Sequence, residues 1–97
     1  MEINKSLIIP CKDEGPEFVI ILKRFLSYLK NDTEVIVVVD DEKDSTIEEI
    51  EKSKLNVNIL INTYGNGPAH AVRFGIDSSN GKAVCVNKEI PFCNAST

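Results

Sequence analysis

Residues 35–46 read VIVVVDDEKDST, five consecutive β-branched residues that run directly into a cluster of acids. Such an apolar run is typical of a strand buried on both faces of a parallel sheet. The acids behind it carry like charges, which repel one another in a shared turn. The stretch therefore predicts a central strand. It leaves two interpretations of the acids: a solvated turn, or a surface that faces hydrogen-bond donors or positive charge.

The rest of the chain alternates short apolar runs with helical segments. Strands are predicted at residues 6–10, 34–40, 56–62 and 82–86. Helices are predicted after Gly15-Pro16, over about 45–53 behind a possible capping box that starts at Ser45, and from Gly67-Pro68 to near residue 81. The first helix shows one apolar stripe at Phe18, Leu22, Phe25 and Leu29.

This alternation indicates an α/β fold. We expect a three-layer sandwich around a Rossmann-like, mainly parallel sheet of about four strands. Right-handed crossovers place the first strand between the second and the fourth.

Composition excludes several classes of protein. Ninety-seven residues with 42% hydrophobic and 27% charged content fit one soluble globular domain. The net charge of −4 argues against a nucleic-acid partner, which would need a basic face. Residues 40–51 hold seven acids and one lysine, so −6 lies there and about +2 elsewhere. The acidity is local.

Cysteine usage and hydropathy predict a cytoplasmic protein. The three cysteines are odd in number and lack metal-ligand spacing, which favours reduced thiols. No apolar run approaches the roughly 20 residues of a transmembrane segment, and the N-terminus lacks the apolar core of a signal peptide.

Polar loops follow all four predicted strands. They read CKDEGP, DDEKDS, NTYGNGP and NKEIP. In an open parallel sheet, ligands bind outside the carboxyl ends of the strands, where helix N-termini also offer N–H groups to anions. Acids in the first two loops suit neutral donors such as ribose hydroxyls or the N–H groups of a base.

Four of these segments together resemble the family 2 glycosyltransferases. IIPCKDE is similar to the family's first strand and its Pro-x-(Tyr/Lys)-(Asn/Asp)-Glu ending, and VIVVVDDEKDST to its second strand with an Asp-Asp pair. NGPAHAVRFGI resembles the third element, Gly-Pro-x-x-Ala-(x)₃-Gly-Ile, and NGKAVCV the strand after it. The likeness is nearest to the dolichol-phosphate mannose synthase-like branch.

The resemblance implies the nucleotide-binding half of a GT-A domain over residues 1–86, which would bind a nucleotide-sugar. Pro10, Lys12 and Glu14 would line the base and ribose. Asp41 would accept a hydrogen bond from the base, with Asp40 beside it, and Gly67 would open a helix close to the nucleotide.

One departure from the family pattern limits the expected activity. The family places an Asp-x-Asp motif after the fourth strand, and its carboxylates hold the Mg²⁺ or Mn²⁺ expected for a full-length member. This chain has Asn87-Lys88-Glu89 there, followed by an irregular tail over residues 87–97. We therefore expect a truncated domain with no catalytic residue, no metal ligand and no cofactor of its own, which binds a nucleotide weakly and transfers no sugar.

Two further expectations concern partners. An exposed edge at KAVCV (82–86) favours a homo-oligomer. The alternative function is a non-catalytic α/β module, whose acidic loops at the strand ends bind a divalent ion or a partner protein.

Overall fold

The computed structural model describes residues 3–65, 67–81 and 83–86. Seven elements follow one another as β-α-β-α-β-α-β. The strands are β1 (Lys5–Pro10), β2 (Thr33–Val39), β3 (Asn58–Ile61) and β4 (Ala83–Val86). The helices are α1 (Pro16–Leu26), α2 (Ser45–Ser53) and α3 (Pro68–Ser78).

The four strands form one parallel sheet in the order β3-β2-β1-β4. The predicted α/β sandwich is thereby confirmed, with β1 between β2 and β4. Because every strand runs in the same direction, Pro10, Val39, Ile61 and Val86 all end at one edge, which we call the carboxyl edge.

The β-branched run of β2 is explained by two cores, one on each face of the sheet. Val35, Val37 and Val39 pack with Leu22 of α1 and Ile50 of α2 in the first core. The second core, under α3, contains Ile8, Ile36, Val38 and Ala71. Since a strand alternates its side chains between faces, both sets from β2 must be apolar. Helices on both faces make the three layers.

Two details of the helices differ from the sequence prediction. Helix α1 ends at Leu26, although the apolar stripe continues to Leu29, which packs against the first core from a turn outside the helix. The capping box predicted at Ser45 is wrong, because Asp44 is the N-cap of α2 and accepts a hydrogen bond from the backbone N–H of Thr46. An Asp at this position is as good a cap as a Ser.

Glu34, near the amino end of β2, connects the loop before β4 to the start of the two central strands. Its Oε2 accepts hydrogen bonds from Ser6 Oγ at 2.5 Å and from the backbone N–H of Asn80 at 2.6 Å. The backbone N–H of Gly81 donates in turn to Ser6 Oγ at 2.7 Å. Burial alone would raise the pKa of Glu34, but these hydrogen bonds outweigh it and hold that pKa below its usual value.

Glu34 should therefore make the domain sensitive to acid. A carboxyl whose pKa is lowered on folding adds stability above its unfolded pKa of about 4.3, and this stability is lost as the pH falls through the folded value. We expect Glu34→Gln to lower the free energy of unfolding at pH 7, with the gap to wild type closing below about pH 4. Urea titrations from pH 7 to pH 3 measure this. Glu17→Gln, on the exposed side of α1, makes the same charge change and is the control; equal curves for both variants would contradict the prediction.

No helix in the described part of the chain is both long and apolar enough to cross a membrane. Lys82 and the tail predicted to be irregular, residues 87–97, lie outside the described residues.

Candidate functional site at the carboxyl edge

The loops after β1 and β2 enclose a small open cavity at the carboxyl edge. Its volume is about 170 Å³, and its lining residues are Lys12, Asp13, Asp40, Asp41, Lys43 and Asp44. A larger cavity of about 270 Å³ lies near the amino ends of β1 and β2, with the mostly apolar side chains of Leu7, Phe25, Tyr28 and Leu29 in its wall. We place the candidate site at the smaller of these two cavities, because it gathers several ionisable groups of both signs around polar loops and the larger one does not.

Asp40 directly follows β2, and its carboxylate holds the loop after β3. The side-chain amide of Asn62 donates to Asp40 Oδ1 at 2.8 Å, and the backbone N–H of Gly67 donates to Oδ2 at 3.3 Å. The same amide of Asn62 also donates to the carbonyl of Gly65, while its Oδ1 accepts from the backbone N–H of Tyr64 at 2.9 Å. Both oxygens of Asp40 are thus engaged within the protein.

Asp41 is exposed and has only a local partner among the described residues. Its Oδ1 accepts a hydrogen bond from the backbone N–H of Lys43 at 2.9 Å, the geometry of an Asx turn. Glu42, between them, is exposed as well and does not line the cavity. Of the two aspartates that directly follow β2, Asp41 therefore keeps more hydrogen-bonding capacity for a ligand than Asp40.

Asp44 is buried, with 9% of its surface exposed, and contacts the loop after β1. Both of its carboxylate oxygens accept from the backbone N–H of Asp13, at 2.9 and 3.1 Å. Two residues on, Thr46 Oγ1 accepts from the backbone N–H of Glu14 at 2.9 Å. Asp40, Asp41 and Asp44 thus accept hydrogen bonds from three different sets of donors.

The surroundings of Glu14 disfavour the ionised form of its carboxyl group. Burial and then the nearby charge of Asp44 raise the pKa of Glu14. Burial, followed by the nearby charges of Glu14 and Asp44, raises the pKa of Cys11 so far that its thiol stays protonated. Cys11 is therefore no nucleophile, whereas a carboxyl group with a raised pKa beside a cavity is a candidate for ligand contact.

Two helix N-termini face the same edge without a side-chain cap of their own. The N-cap residues are Gly15 for α1 and Gly67 for α3, and neither has a side chain that could accept from the first N–H groups of its helix. Gly67 has φ of +108°, a backbone conformation that side chains rarely adopt. Free N–H groups at a helix N-terminus favour an anion.

The structure brings only part of the predicted site together. Lys12, Asp40 and Asp41 line one cavity. Pro10 ends β1, opposite Val38 of β2, and is not in the lining. Glu14 and Gly67 also lie outside it, although Gly67 is joined to Asp40 by its hydrogen bond.

Sequence reasoning did not single out three residues that build this edge: Asn62, Asp44 and Thr46. Asn62 had a visible signal, since it is the first polar residue after the apolar run of β3. Asp44 and Thr46 had another, the pattern Asp-x-Thr at a helix start. In both cases the partners are distant in sequence, so the roles themselves could not be deduced from spacing.

The residues present do not match a divalent metal site. Within residues 3–65, 67–81 and 83–86, no group of three or more His, Cys, Asp or Glu side chains is arranged to hold a metal ion. The sequence also lacks an Asp-x-Asp stretch anywhere in its 97 residues. We therefore derive no chemical step through a metal.

Comparison with known families decides the affiliation of the chain. Residues 6–87 match the family model described as glycosyl transferase family 2. The chain belongs to glycosyl transferase family 2. The matched region of this family 2 chain contains every residue of the candidate site and all seven elements except Lys5, the first residue of β1. No curated protein sequence matches the chain.

Six chains of solved structures match this family 2 chain. One is the crystal structure of S. aureus TarS 1-349, with 22% sequence identity and a TM-score of 0.62. The match covers 97% of the present chain and 31% of the TarS chain. At this identity the likeness supports the fold alone, and the present chain spans about a third of that structure.

Proposed function

We propose that the carboxyl edge binds the nucleotide part of a nucleoside-diphosphate sugar, as the donor-binding part of a family 2 glycosyltransferase. One observation carries this proposal. The loops after two adjacent parallel strands, β1 and β2, place Lys12 and Asp41 around a single open cavity in a chain that belongs to this family.

The chemistry of the edge fits the parts of such a ligand. Asp41 is an exposed acceptor for the N–H groups of a base, and the carboxylate of Glu14 suits ribose hydroxyls. Lys12 and the uncapped N-termini of α1 and α3 offer positive charge and N–H groups to the diphosphate. Asp40 has a structural role at the site, since its oxygens already accept hydrogen bonds from Asn62 and Gly67.

The role of Asp41 can be tested by measuring the affinity for a panel of nucleoside diphosphates by calorimetry. Loss of a hydrogen bond to a charged group costs about 1.5–3 kcal/mol. We expect Asp41→Ala to weaken binding of the nucleotide that binds wild type by this amount. Glu42→Ala removes the same charge one residue away, outside the lining of the cavity, and should bind nearly as wild type. Equal affinities for Asp41→Ala and wild type would remove Asp41 from the site.

The proposal includes binding without sugar transfer by this chain alone. The reason is the sequence after β4, which lacks the paired aspartates that resemblance to the family led us to expect. A divalent metal in such enzymes stabilises the charge of the leaving group. Product formed from a panel of nucleotide-sugars with added Mn²⁺ would contradict this part of the proposal.

Three finer points are part of the same proposal. The dolichol-phosphate mannose synthase-like branch rests on the sequence motifs, and the cytoplasmic location rests on the cysteine pattern. A homo-oligomer rests on the position of β4 at an edge of the described sheet, where a strand exposes backbone groups for pairing. Light scattering tests the oligomer: a mass of 10.8 kDa at high protein concentration would rule it out.

A further inference from the structure

The loop that joins β1 to α1 is held mainly by hydrogen bonds to residues of other segments. It begins at Cys11, whose backbone N–H still donates to the carbonyl of Val38 at 2.9 Å. Asp13 then adopts φ of +50°, a left-handed conformation that costs free energy for any residue except glycine. A backbone in that conformation persists only where its surroundings impose it.

The groups that impose it all come from the start of α2. Asp44 accepts the backbone N–H of Asp13, and Thr46 Oγ1 accepts the backbone N–H of Glu14. Ser45 Oγ donates to the carbonyl of Glu14 at 3.3 Å, a weaker contact at the surface. Three consecutive residues at the start of α2 thus bind two consecutive residues of the β1–α1 loop.

Asp44 performs two tasks with one oxygen. Its Oδ1 accepts from Thr46 N at 2.8 Å, which caps α2, and from Asp13 N at 2.9 Å, which fixes the β1–α1 loop. The side chains of Asp44 and Thr46 are 9% and 0% exposed. The cap fixes Asp44 at the start of α2, and α2 packs against the first core through Ile50. The position of the β1–α1 loop is therefore set by the position of α2.

We infer that Asp44 and Thr46 are positioning residues, which set the nucleotide affinity of the site by fixing the loop that carries Lys12 and Glu14. This inference rests on the proposed function for its ligand. It does not require either residue to touch the nucleotide. The role assigned to Asp44 is distinct from that of Asp41. The two residues belong to the same acidic stretch but have different hydrogen-bond partners.

Four variants separate the loop contact from the helix cap and from the charge. Asp44→Ala removes the cap and the loop contact. Asp44→Asn removes the charge but can keep both contacts of Oδ1, so it should restore most of the wild-type behaviour. Thr46→Val removes only the acceptor for Glu14 N, since the cap uses the backbone of Thr46, and Thr46→Ser restores it.

Lys52→Gly is the matched control for stability. It lies in the last turn of α2, is exposed, and costs the helix an amount comparable to the loss of a cap. Its ion pair with Glu49, at 3.8 Å on the surface, adds little. A variant that weakens the fold without touching the β1–α1 loop should behave like this control.

The test combines amide hydrogen exchange of the free protein with nucleotide titration of each variant. We expect Asp44→Ala and Thr46→Val to speed exchange at the amides of Asp13 and Glu14 and to weaken nucleoside diphosphate binding, each by about tenfold. Asp44→Asn, Thr46→Ser and Lys52→Gly should stay near wild type in both.

Unchanged exchange at Asp13 and Glu14 in Thr46→Val, or faster exchange with unchanged affinity, would overturn the inference. So would a loss of affinity in Lys52→Gly equal to that in Asp44→Ala. If wild type binds no nucleotide of the panel, the proposed function fails, while the exchange rates still decide whether Asp44 and Thr46 fix the loop.

Discussion

Asn62→Asp is expected to destabilise the domain by about 3 kcal/mol or more at pH 7, although the two side chains have the same shape. Asn62 is buried and donates from one amide nitrogen to both Asp40 Oδ1 and the carbonyl of Gly65. A carboxylate in its place turns two hydrogen bonds into repulsions between oxygens. An uncompensated charge in a buried position costs about 3–5 kcal/mol.

The loss should depend on pH in a way that identifies its cause. Two carboxyls at hydrogen-bonding distance are costly to ionise together, so the pair binds one shared proton with a raised pKa in the folded state. Protonation then restores a donor, and the difference in unfolding free energy between variant and wild type should shrink as the pH falls from 7 towards 4. Asn58→Asp, at the exposed start of β3, makes the same change and should cost little at either pH. A pH-independent difference for Asn62→Asp would mean that Asp40 is not its partner.

Gly75→Ala is expected to lower the free energy of unfolding by about 1–3 kcal/mol, the usual range for an overpacked core. Alanine is the better helix former by about 1 kcal/mol, so helix propensity alone predicts the opposite sign. The difference arises because α3 approaches the sheet at this residue. A Cβ at Gly75 would lie 2.5 Å from Ile8 Cγ2 and 3.2 Å from Val38 Cγ2.

Ser78→Ala provides the control for helix propensity in the same helix. Ser78 is exposed, so its replacement should change stability by no more than about 0.5 kcal/mol. Urea unfolding of both variants measures the contrast. A Gly75→Ala variant as stable as wild type would show that α3 does not pack this closely on β1 and β2.

The architecture could be predicted because it depends on local patterns. Five β-branched residues in a row require a strand covered on both faces, and Gly-Pro at the start of α1 and α3 marks where each helix begins. Strand order then follows from the handedness of the crossovers. The end of α1 could not be predicted in the same way, because Leu29 reaches the core from a turn as well as it would from a helix.

The roles of the individual acids depend on contacts that the sequence does not display. Asp40, Asp41 and Asp44 are equivalent in a sequence pattern, yet one holds Asn62, one stays exposed, and one holds Asp13. These partners lie 22 and 31 residues away for Asp40 and Asp44. Their assignment requires the packing of β3 and α2 around the edge, which only the folded structure supplies.

The most direct test of the central claim is a map of backbone amide shifts in the ¹⁵N-labelled protein as nucleoside diphosphates are added. Nucleotide binding at the carboxyl edge predicts shifts that cluster in the loops after β1 and β2, at residues 11–14 and 40–44, and in the loop after β3, at residues 62–65. Binding at the cavity near Phe25 and Tyr28 predicts shifts there instead. Shifts confined to that apolar cavity, or none with any nucleotide of the panel, would contradict a nucleotide site at the carboxyl edge.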